Sequence, residues 1–323
     1  MARKFGSAAA FKTSLEAHLR KRAEERKVPL STLQLKFVIE RLLARLFRNP
    51  DPPWLLKGGF AMDLRFRPRA RTTKDLDLSI ALVPVEGNAD LAVAVRERLQ
   101  EAADQDLGDY LSYRVGEPKQ ELTNAPKGGA RYPCEAVLVG KVYARFHIDV
   151  GCGDAVVGEP EWLVGDDLLS FAGIDPASVL AIPKPQQFAE KLHAYTFPWS
   201  GRMNTRTKDL VDLVLLIERG PPEAVDVRRA LEATFSTRAT HPLPKTLPPP
   251  PSEWRTEFTG MAAEAGLSTT EYLEAFEVSK SFWGTPLELP EQPRRQRGSQ
   301  NGQGRKPRAA GKPLLPLAPQ TPT

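Results

Sequence analysis

The segment TTKDLDLSIALV constrains this chain more than any other, because it places two acids inside an otherwise apolar strand pattern. Side chains of a strand alternate between its two faces, so Leu76, Leu78 and Ile80 fall on one face. Asp75 and Asp77 then share the other face, with their Cβ atoms roughly 7 Å apart. Two neighbouring carboxylates repel each other unless a cation lies between them. The pattern therefore predicts a strand that buries one face and presents two acids to a ligand.

A glycine pair lies upstream in WLLKGGFAMDLRF, where the sequence predicts a short turn followed by a helix. Gly58 and Gly59 let the backbone approach a ligand closely, and the free N–H groups of a helix N-terminus favour phosphate. Carboxylate and phosphate oxygens are ligands that Mg²⁺ takes in proteins. We therefore expect Asp75 and Asp77 to bind a divalent cation, Mg²⁺ or Mn²⁺, next to bound phosphate.

Two interpretations of the aspartate pair stay open at this point. An Asp-x-Asp sequence also occurs on solvated strand edges and in turns, where it binds nothing. As a metal site, the pair could hold one cation or two side by side, and two would suit in-line displacement at phosphorus. A later apolar stretch, CEAVLVGKVYARFHIDVGCGD, predicts one or two strands ending in Asp149, a third carboxylate that could join the pair.

The rest of the chain predicts helices around this core. Helical spacing of apolar residues covers 9–48, 88–107 and most of the chain after Gly158. From residue 289 the composition turns to Pro, Gly, Gln and Arg, which predicts a disordered tail. We divide the chain into N-terminal helices (1–50), a core with the aspartates (51–157), a mainly helical C-terminal lobe (158–288) and the basic tail (289–323).

Charge and cysteine content narrow the class of protein. The net charge is +5, and seven Lys or Arg against one acid follow Pro290, so the tail carries the positive excess. The net charge is therefore weak support for nucleic-acid binding by the folded part. Two cysteines are too few for a disulfide framework.

No apolar run reaches the ~20 residues of a membrane helix. The N-terminus has no signal-peptide core, so we expect a cytoplasmic protein without membrane contact.

The motif LLKGGFAMDL…RTTKDLDLSI resembles the opening motif of the nucleotidyltransferases of the AbiEii/AbiGii toxin family, the toxins of type IV toxin–antitoxin pairs. The matching residues are Lys57, Gly58, Gly59, Ala61, Leu64, Arg71, Thr73, Asp75 and Asp77. The later segments AEKLHA (189–194) and RTKDLVDL (206–213) resemble further motifs of the family, and TFSTR fits its layout. The resemblance covers about residues 10–285.

The resemblance implies an α+β fold like that of the DNA polymerase β nucleotidyltransferases. A mixed β-sheet core flanked by helices would carry the metal aspartates, and a helical lobe would follow it. It implies a metal-dependent enzyme that moves a nucleotide from an NTP to an acceptor. Some members of the family modify the 3′ end of tRNA and so arrest translation and growth. A cognate antitoxin of the winged-helix type would be the protein partner.

The resemblance also assigns roles to individual residues. The catalytic residues would be Asp75, Asp77, Lys191 and Asp209. The nucleotide-binding residues would be Lys57, Gly58, Gly59, Thr73, Arg206 and Lys208. The metal ligands would be Asp75, Asp77 and Asp149, while the part played by Asp212 stays open. Two alternative functions remain: transfer to a small molecule of the aminoglycoside type, and a non-catalytic binding module for nucleic acid or a protein partner.

Overall fold

In the residues that the computed structural model describes, eight strands form one mixed sheet. These residues are 5–67, 73–80, 90–122, 125–199 and 203–288, with 286–288 described as backbone only. The strands are β1 (Trp54–Lys57), β2 (Asp75–Ile80), β3 (Leu111–Val115), β4 (Gln120–Glu121), β5 (Gly129–Leu138), β6 (Lys141–Cys152), β7 (Glu161–Val164) and β8 (Ser178–Ala181). Their order is β3-β5-β6-β2-β1-β8-β7, with β4 paired to β5. The pairs β2–β6 and β1–β8 are parallel and the others antiparallel.

Nine helices accompany the sheet in the described part of the chain. They are α1 (Ala8–Arg26), α2 (Leu30–Leu46), α3 (Gly58–Phe66), α4 (Leu91–Ala103), α5 (Lys184–Tyr195), α6 (Thr207–Glu218), α7 (Ala224–Arg238), α8 (Arg255–Ala265) and α9 (Tyr272–Glu288). Together with the mixed sheet they confirm the predicted α+β class. Within the same residues, no helix combines the length and apolar character that a membrane span requires.

The first apolar cluster lies between one face of the sheet and the N-terminal helices. Phe11, Leu15 and Leu19 recur at four-residue steps on α1 and are fully buried. Leu76 and Leu78 of β2 are equally buried and belong to the same cluster. Burying each such side chain contributes about 1.5–3 kcal/mol. The apolar face of β2 is therefore held against the helices, which directs the acids of the strand to the opposite face.

A second apolar cluster lies among helices α5 to α9. Helix α3 contributes to both clusters, because Phe60 and Leu64 pack in the first while Met62 and Phe66 pack in the second. Side chains at alternate positions of a helix point to different sides. The start of α3, with its glycine pair, is thereby placed where the sheet and the helical lobe meet.

The structure corrects the sequence prediction in two places. Strand β6 does not end at Asp149 but continues to Cys152, because Val150, Gly151 and Cys152 go on pairing with β2. Strands β7 and β8 lie within the segment predicted as a mainly helical lobe, and they extend the sheet beyond β1. Each has only four residues, too few for a clear alternating pattern. The domain boundaries stay predictions, and Arg71 and the tail at 289–323 lie outside the described residues.

A buried ion-pair cluster ties α2 to the loop before β3. Arg45 donates two hydrogen bonds to Asp109, at 2.7 and 2.9 Å, and Arg41 donates a third at 2.8 Å. Asp109 is completely buried and Arg45 nearly so. Burial alone would raise the pKa of Asp109, but the two guanidiniums outweigh it and hold the pKa below its ordinary value.

Asp109→Asn is expected to lower the free energy of unfolding by about 3–5 kcal/mol, because two buried arginines lose their counter-ion. The exposed Asp51→Asn should change it by less than about 0.5 kcal/mol. Urea unfolding followed by circular dichroism measures both, and equal midpoints would contradict the expectation. Since folding depresses the Asp109 pKa, its contribution is complete above the unfolded value. The gap between wild type and Asp109→Asn should therefore shrink only below about pH 4.

Candidate active site

Four charged residues form a row across the sheet. Backbone pairing places Lys57 of β1 opposite Asp77 of β2. Asp77 in turn lies opposite Asp149 of β6, and Arg131 of β5 completes the row beside Asp149. Register partners project to the same face, which is the face opposite the N-terminal helices. Asp75 shares this face, two residues earlier in the strand. The predicted pair of acids is thus presented on one side, with Asp149 next to it.

Gly58 contacts the Asp77 carboxylate directly. It has a φ of +66°, in the left-handed region, and a Cβ built on it would lie 2.0 Å from Asp77 Oδ2. Both the backbone conformation and the contact favour glycine alone. Gly58 is also the first residue of α3, so the unpaired N–H groups of the first helical turn lie beside the acids. The predicted turn and following helix are confirmed.

Gln187 of α5 holds the glycine turn, and Arg65 of α3 holds Gln187. Gln187 Nε2 donates to Gly58 O at 2.8 Å, and Gln187 Oε1 accepts from Arg65. Arg65 also donates to Ile182 O at 2.8 Å and pairs with Glu161 at 3.1 Å. A trans peptide directs its C=O and N–H to opposite sides. Fixing the Gly58 carbonyl therefore also fixes the direction of the next N–H in the turn.

Asp75 and Asp77 form no direct ion pair within the described part of the chain. Among the same residues, neither carboxylate accepts a side-chain hydrogen bond. Burial raises the pKa of Asp77, while Lys191 and Lys57 oppose that shift. Two carboxylates without partners, beside free backbone N–H groups, fit a hard divalent cation whose remaining ligands are phosphate oxygens and water.

Asp149 differs from the pair because Arg131 holds it. Arg131 Nε and Nη2 each donate to one carboxylate oxygen at 2.7 Å. These hydrogen bonds raise the pKa of Arg131 above its ordinary value. Across the described residues, no three His, Cys, Asp or Glu side chains gather into a group that could hold a metal ion. A metal-ligand role for Asp149 therefore stays a prediction.

Helices α5 and α6 supply the opposite wall. Lys191 Nζ lies 3.0 Å from Asp209 Oδ1 and 2.7 Å from Asp212 Oδ2. The two aspartates lie one turn apart on the same helix face and are buried. Arg206 Nη1 approaches Asp209 Oδ2 at 3.7 Å. Asp209 thus pairs with both Lys191 and Arg206, and Asp212 is connected to the site through Lys191.

A second ion-pair network joins the sheet to the helical lobe. Asp154, just after β6, lies 2.5 Å from Lys57 Nζ and accepts hydrogen bonds from Arg238 at 2.9 and 3.1 Å. Arg238 also pairs with Glu190 of α5 at 3.3 Å. Burial would lower the pKa of Lys57, but Glu190 and Asp154 outweigh it and raise the pKa. The positive charge of Lys57 is therefore largely compensated by protein acids.

A cleft of about 360 Å³ brings together all the residues that the sequence assigned to the site. They are Lys57, Gly58, Gly59, Thr73, Asp75, Asp77, Asp149, Lys191, Arg206, Lys208 and Asp209. Asp212 does not line the cleft. The volume falls within the ~300–1,000 Å³ of small-molecule sites in general. The roles of the individual residues stay predictions, but their grouping in one cleft is a property of the fold.

Several cleft residues escaped the sequence analysis. They are Arg131, Asp154, Gln187, Glu190 and Arg238. Arg238 is the last residue of TFSTR and Glu190 lies within AEKLHA, so both are part of motifs that the sequence analysis recognised without assigning them a role. Arg131 and Asp154 had no local signal, because their partners lie far away in the sequence.

The fold is similar to that of MenT4, a nucleotidyltransferase toxin from Mycobacterium tuberculosis H37Rv, with a TM-score of 0.55 at 15% identity. The match covers 86% of this chain and 90% of that chain. JHP933 from Helicobacter pylori matches with a TM-score of 0.40 at 13% identity, over 79% of this chain and 94% of that chain. The chain thus shares its fold with MenT4.

The sequence matches the family model described as nucleotidyl transferase AbiEii toxin, type IV TA system, over residues 41–278. Because this match spans well over half of the chain, the chain belongs to the AbiEii family of nucleotidyltransferase toxins. The resemblance inferred from the motifs is confirmed, and membership of a toxin–antitoxin system indicates an antitoxin partner. A comparison with curated proteins found no match.

We expect expression of the chain to inhibit growth and Gly58→Ala to relieve that inhibition. The added Cβ would displace the Asp77 carboxylate, and a misplacement of about 1 Å in an active site can cost ~100-fold in rate. Gly140→Ala is the matched control, since Gly140 also has a positive φ, +68°, but nothing lies within 4 Å of an added Cβ. Growth curves with equal protein levels measure both. Growth inhibition retained by Gly58→Ala would contradict the role of this contact.

Proposed function

We propose that this chain transfers a nucleotide from an NTP to RNA, with the 3′ end of tRNA as the acceptor and Mg²⁺ or Mn²⁺ as the cofactor. The main support is the position of Asp75 and Asp77. Among the residues that the structure describes, these carboxylates form no hydrogen bond to a side chain and no ion pair; they adjoin a helix N-terminus and share a cleft with Lys191, Arg206 and Lys208. Nucleotidyl transfer needs such parts, because catalysis at phosphorus is largely positioning and charge neutralisation.

The triphosphate would lie over the glycine turn. The first N–H groups of α3 supply hydrogen-bond donors for it. Lys208 lines the cleft and forms no ion pair within the described ranges, so its charge is available to a phosphate. Lys57, by contrast, is already paired with Asp154. We therefore assign Lys208 the larger part in binding phosphate.

Asp75 and Asp77 would hold the cation. A bound divalent ion neutralises phosphate oxygens and orients the group that is transferred. The protein's part is to hold both carboxylates on one strand face. Gly58 restrains Asp77 from the side of α3, and Leu76 between the two acids is fully buried. The direction of both side chains is thereby set by the sheet.

Lys191 would place a fixed positive charge against the transferring phosphate. Lys191 lines the cleft, and its ammonium group pairs with Asp209 and Asp212 of α6. Asp209 is 2% exposed. Its proposed role therefore acts through the two cations it holds, Lys191 and Arg206. Asp212, on this proposal, positions Lys191 and does not touch the substrate.

Full-length protein with Mg²⁺, each labelled NTP in turn and total RNA should label a band of tRNA size. Asp77→Asn should reduce this labelling by more than about 100-fold, since loss of even an outer-shell partner costs 10–100-fold. Asp104→Asn, an exposed carboxylate outside the cleft, is the control and should label normally. Chelation of the metal should stop labelling, and added Mg²⁺ should restore it.

Each part of the proposal has its own contrary outcome in this assay. Labelling of small molecules alone would reject RNA as the acceptor and favour the small-molecule alternative. Full activity in excess chelator would reject the cation. Normal labelling by Asp77→Asn would reject the assigned site.

Gln187→Ala should raise the KM for NTP more than it lowers kcat, because the Gly58 peptide loses the donor that orients it. Gln186→Ala is the matched control: Gln186 is equally buried on the same helix, but its hydrogen bonds join it to Val157, Glu190 and Thr234, none of which belongs to the glycine turn. Steady-state kinetics and thermal unfolding of both variants give the comparison. Equal KM values at equal stability would show that the turn needs no support from Gln187.

A further inference from the structure

The sheet face that carries the acids continues beyond the cleft as an open, charged surface. Arg114 of β3, Glu135 of β5 and Arg145 of β6 are register partners, so they form a second row parallel to the row at Asp149. His147 lies between the two rows on β6 and is exposed. We call these four residues the outer sheet face. Both arginine side chains are 71% exposed.

The outer sheet face is continuous with the candidate active site. His147 is the register partner of Asp75, and Asp149 lies two residues further along β6. At about 3.4 Å per residue, Arg145 lies roughly 14 Å from Asp149. A single nucleic-acid strand whose end lies at Asp75 and Asp77, and which runs back along β6, would therefore pass His147 and reach Arg145. This distance suits two or three nucleotides of a single strand.

The charges of this surface suit an anion that carries repeated phosphates. Glu135 is shared by both arginines, at 2.8 Å from Arg145 and 3.8 Å from Arg114. One carboxylate cannot neutralise two guanidiniums, so the row keeps a positive excess. Exposed ion pairs of this kind are weak, so a phosphate can replace the carboxylate with bidentate geometry.

We propose that the outer sheet face binds the single-stranded end of the RNA acceptor, with its phosphates on Arg114 and Arg145 and its last nucleotide in the cleft. This inference rests on the proposed function, because it assumes an RNA acceptor. His147 offers an exposed ring at the step between the phosphates and the acids, where a base can stack. The open side of the sheet thereby becomes the path by which the acceptor enters.

The test is the binding of a fluorescent single-stranded RNA oligonucleotide to the full chain, followed by anisotropy over a series of salt concentrations. Each phosphate contact adds about 0.7 to the salt slope for single strands, so the double variant Arg114→Gln/Arg145→Gln should lower the slope by about 1.4. Arg229→Gln, an exposed arginine on α7 paired with Asp226, is the matched control and should leave it unchanged.

A variant that is expected to strengthen RNA binding distinguishes RNA binding by the outer sheet face from a general loss of structure. Glu135→Gln removes the acid that both arginines share, so it should tighten RNA binding and raise the salt slope. An unchanged slope in the double variant, or weaker binding by Glu135→Gln, would overturn the inference. Wild-type protein that binds no RNA would overturn it as well.

The NTP-labelling assay distinguishes RNA binding by the outer sheet face from the proposed transfer of a nucleotide to RNA. RNA binding that depends on the two arginines, without any transfer to RNA, would support the surface and reject the proposed function. Transfer to RNA that proceeds equally in wild type and in the double variant, with equal KM for RNA, would support the proposed function and reject the surface.

Discussion

The site depends on the register of β2 between β1 and β6. Because strand side chains alternate with a period of two, a slip of one residue would turn Asp75 and Asp77 into the apolar cluster. Leu76 and Leu78 prevent such a slip, since each is completely buried against the N-terminal helices. The same register aligns Asp77 with Asp149 and with Lys57. Apolar packing on one face of the sheet therefore fixes the positions of the charges on the other.

The distribution of charge within the cleft follows from this arrangement. Asp149 is neutralised by Arg131, Asp154 by Lys57 and Arg238, and the acids of α6 by Lys191 and Arg206. Within the described residues, Asp75 and Asp77 of β2 form no such ion pair. Buried charges are costly unless paired, so these two acids mark the point where the fold leaves room for a ligand's positive charge.

The sequence predicted those parts of the molecule whose signal is local. The alternation around Asp75 and Asp77 gave the strand, and the glycine pair gave the turn and helix. Pairings between distant residues could not be predicted in this way. Asp154 meets Lys57 across 97 residues and Arg238 across 84. The end of β6 and the presence of β7 and β8 likewise depend on pairing partners in other parts of the chain, which short apolar segments do not reveal.

The contact between Gly58 and Asp77 also bears on how such a toxin can be lost during selection. Every missense change in the Gly58 codon adds a Cβ, and the added atom would meet the carboxylate 2.0 Å away. Most other positions tolerate several substitutions, since surface changes seldom matter. Cells that escape a toxin by point mutation should therefore carry changes at this codon more often than its share of the gene would give.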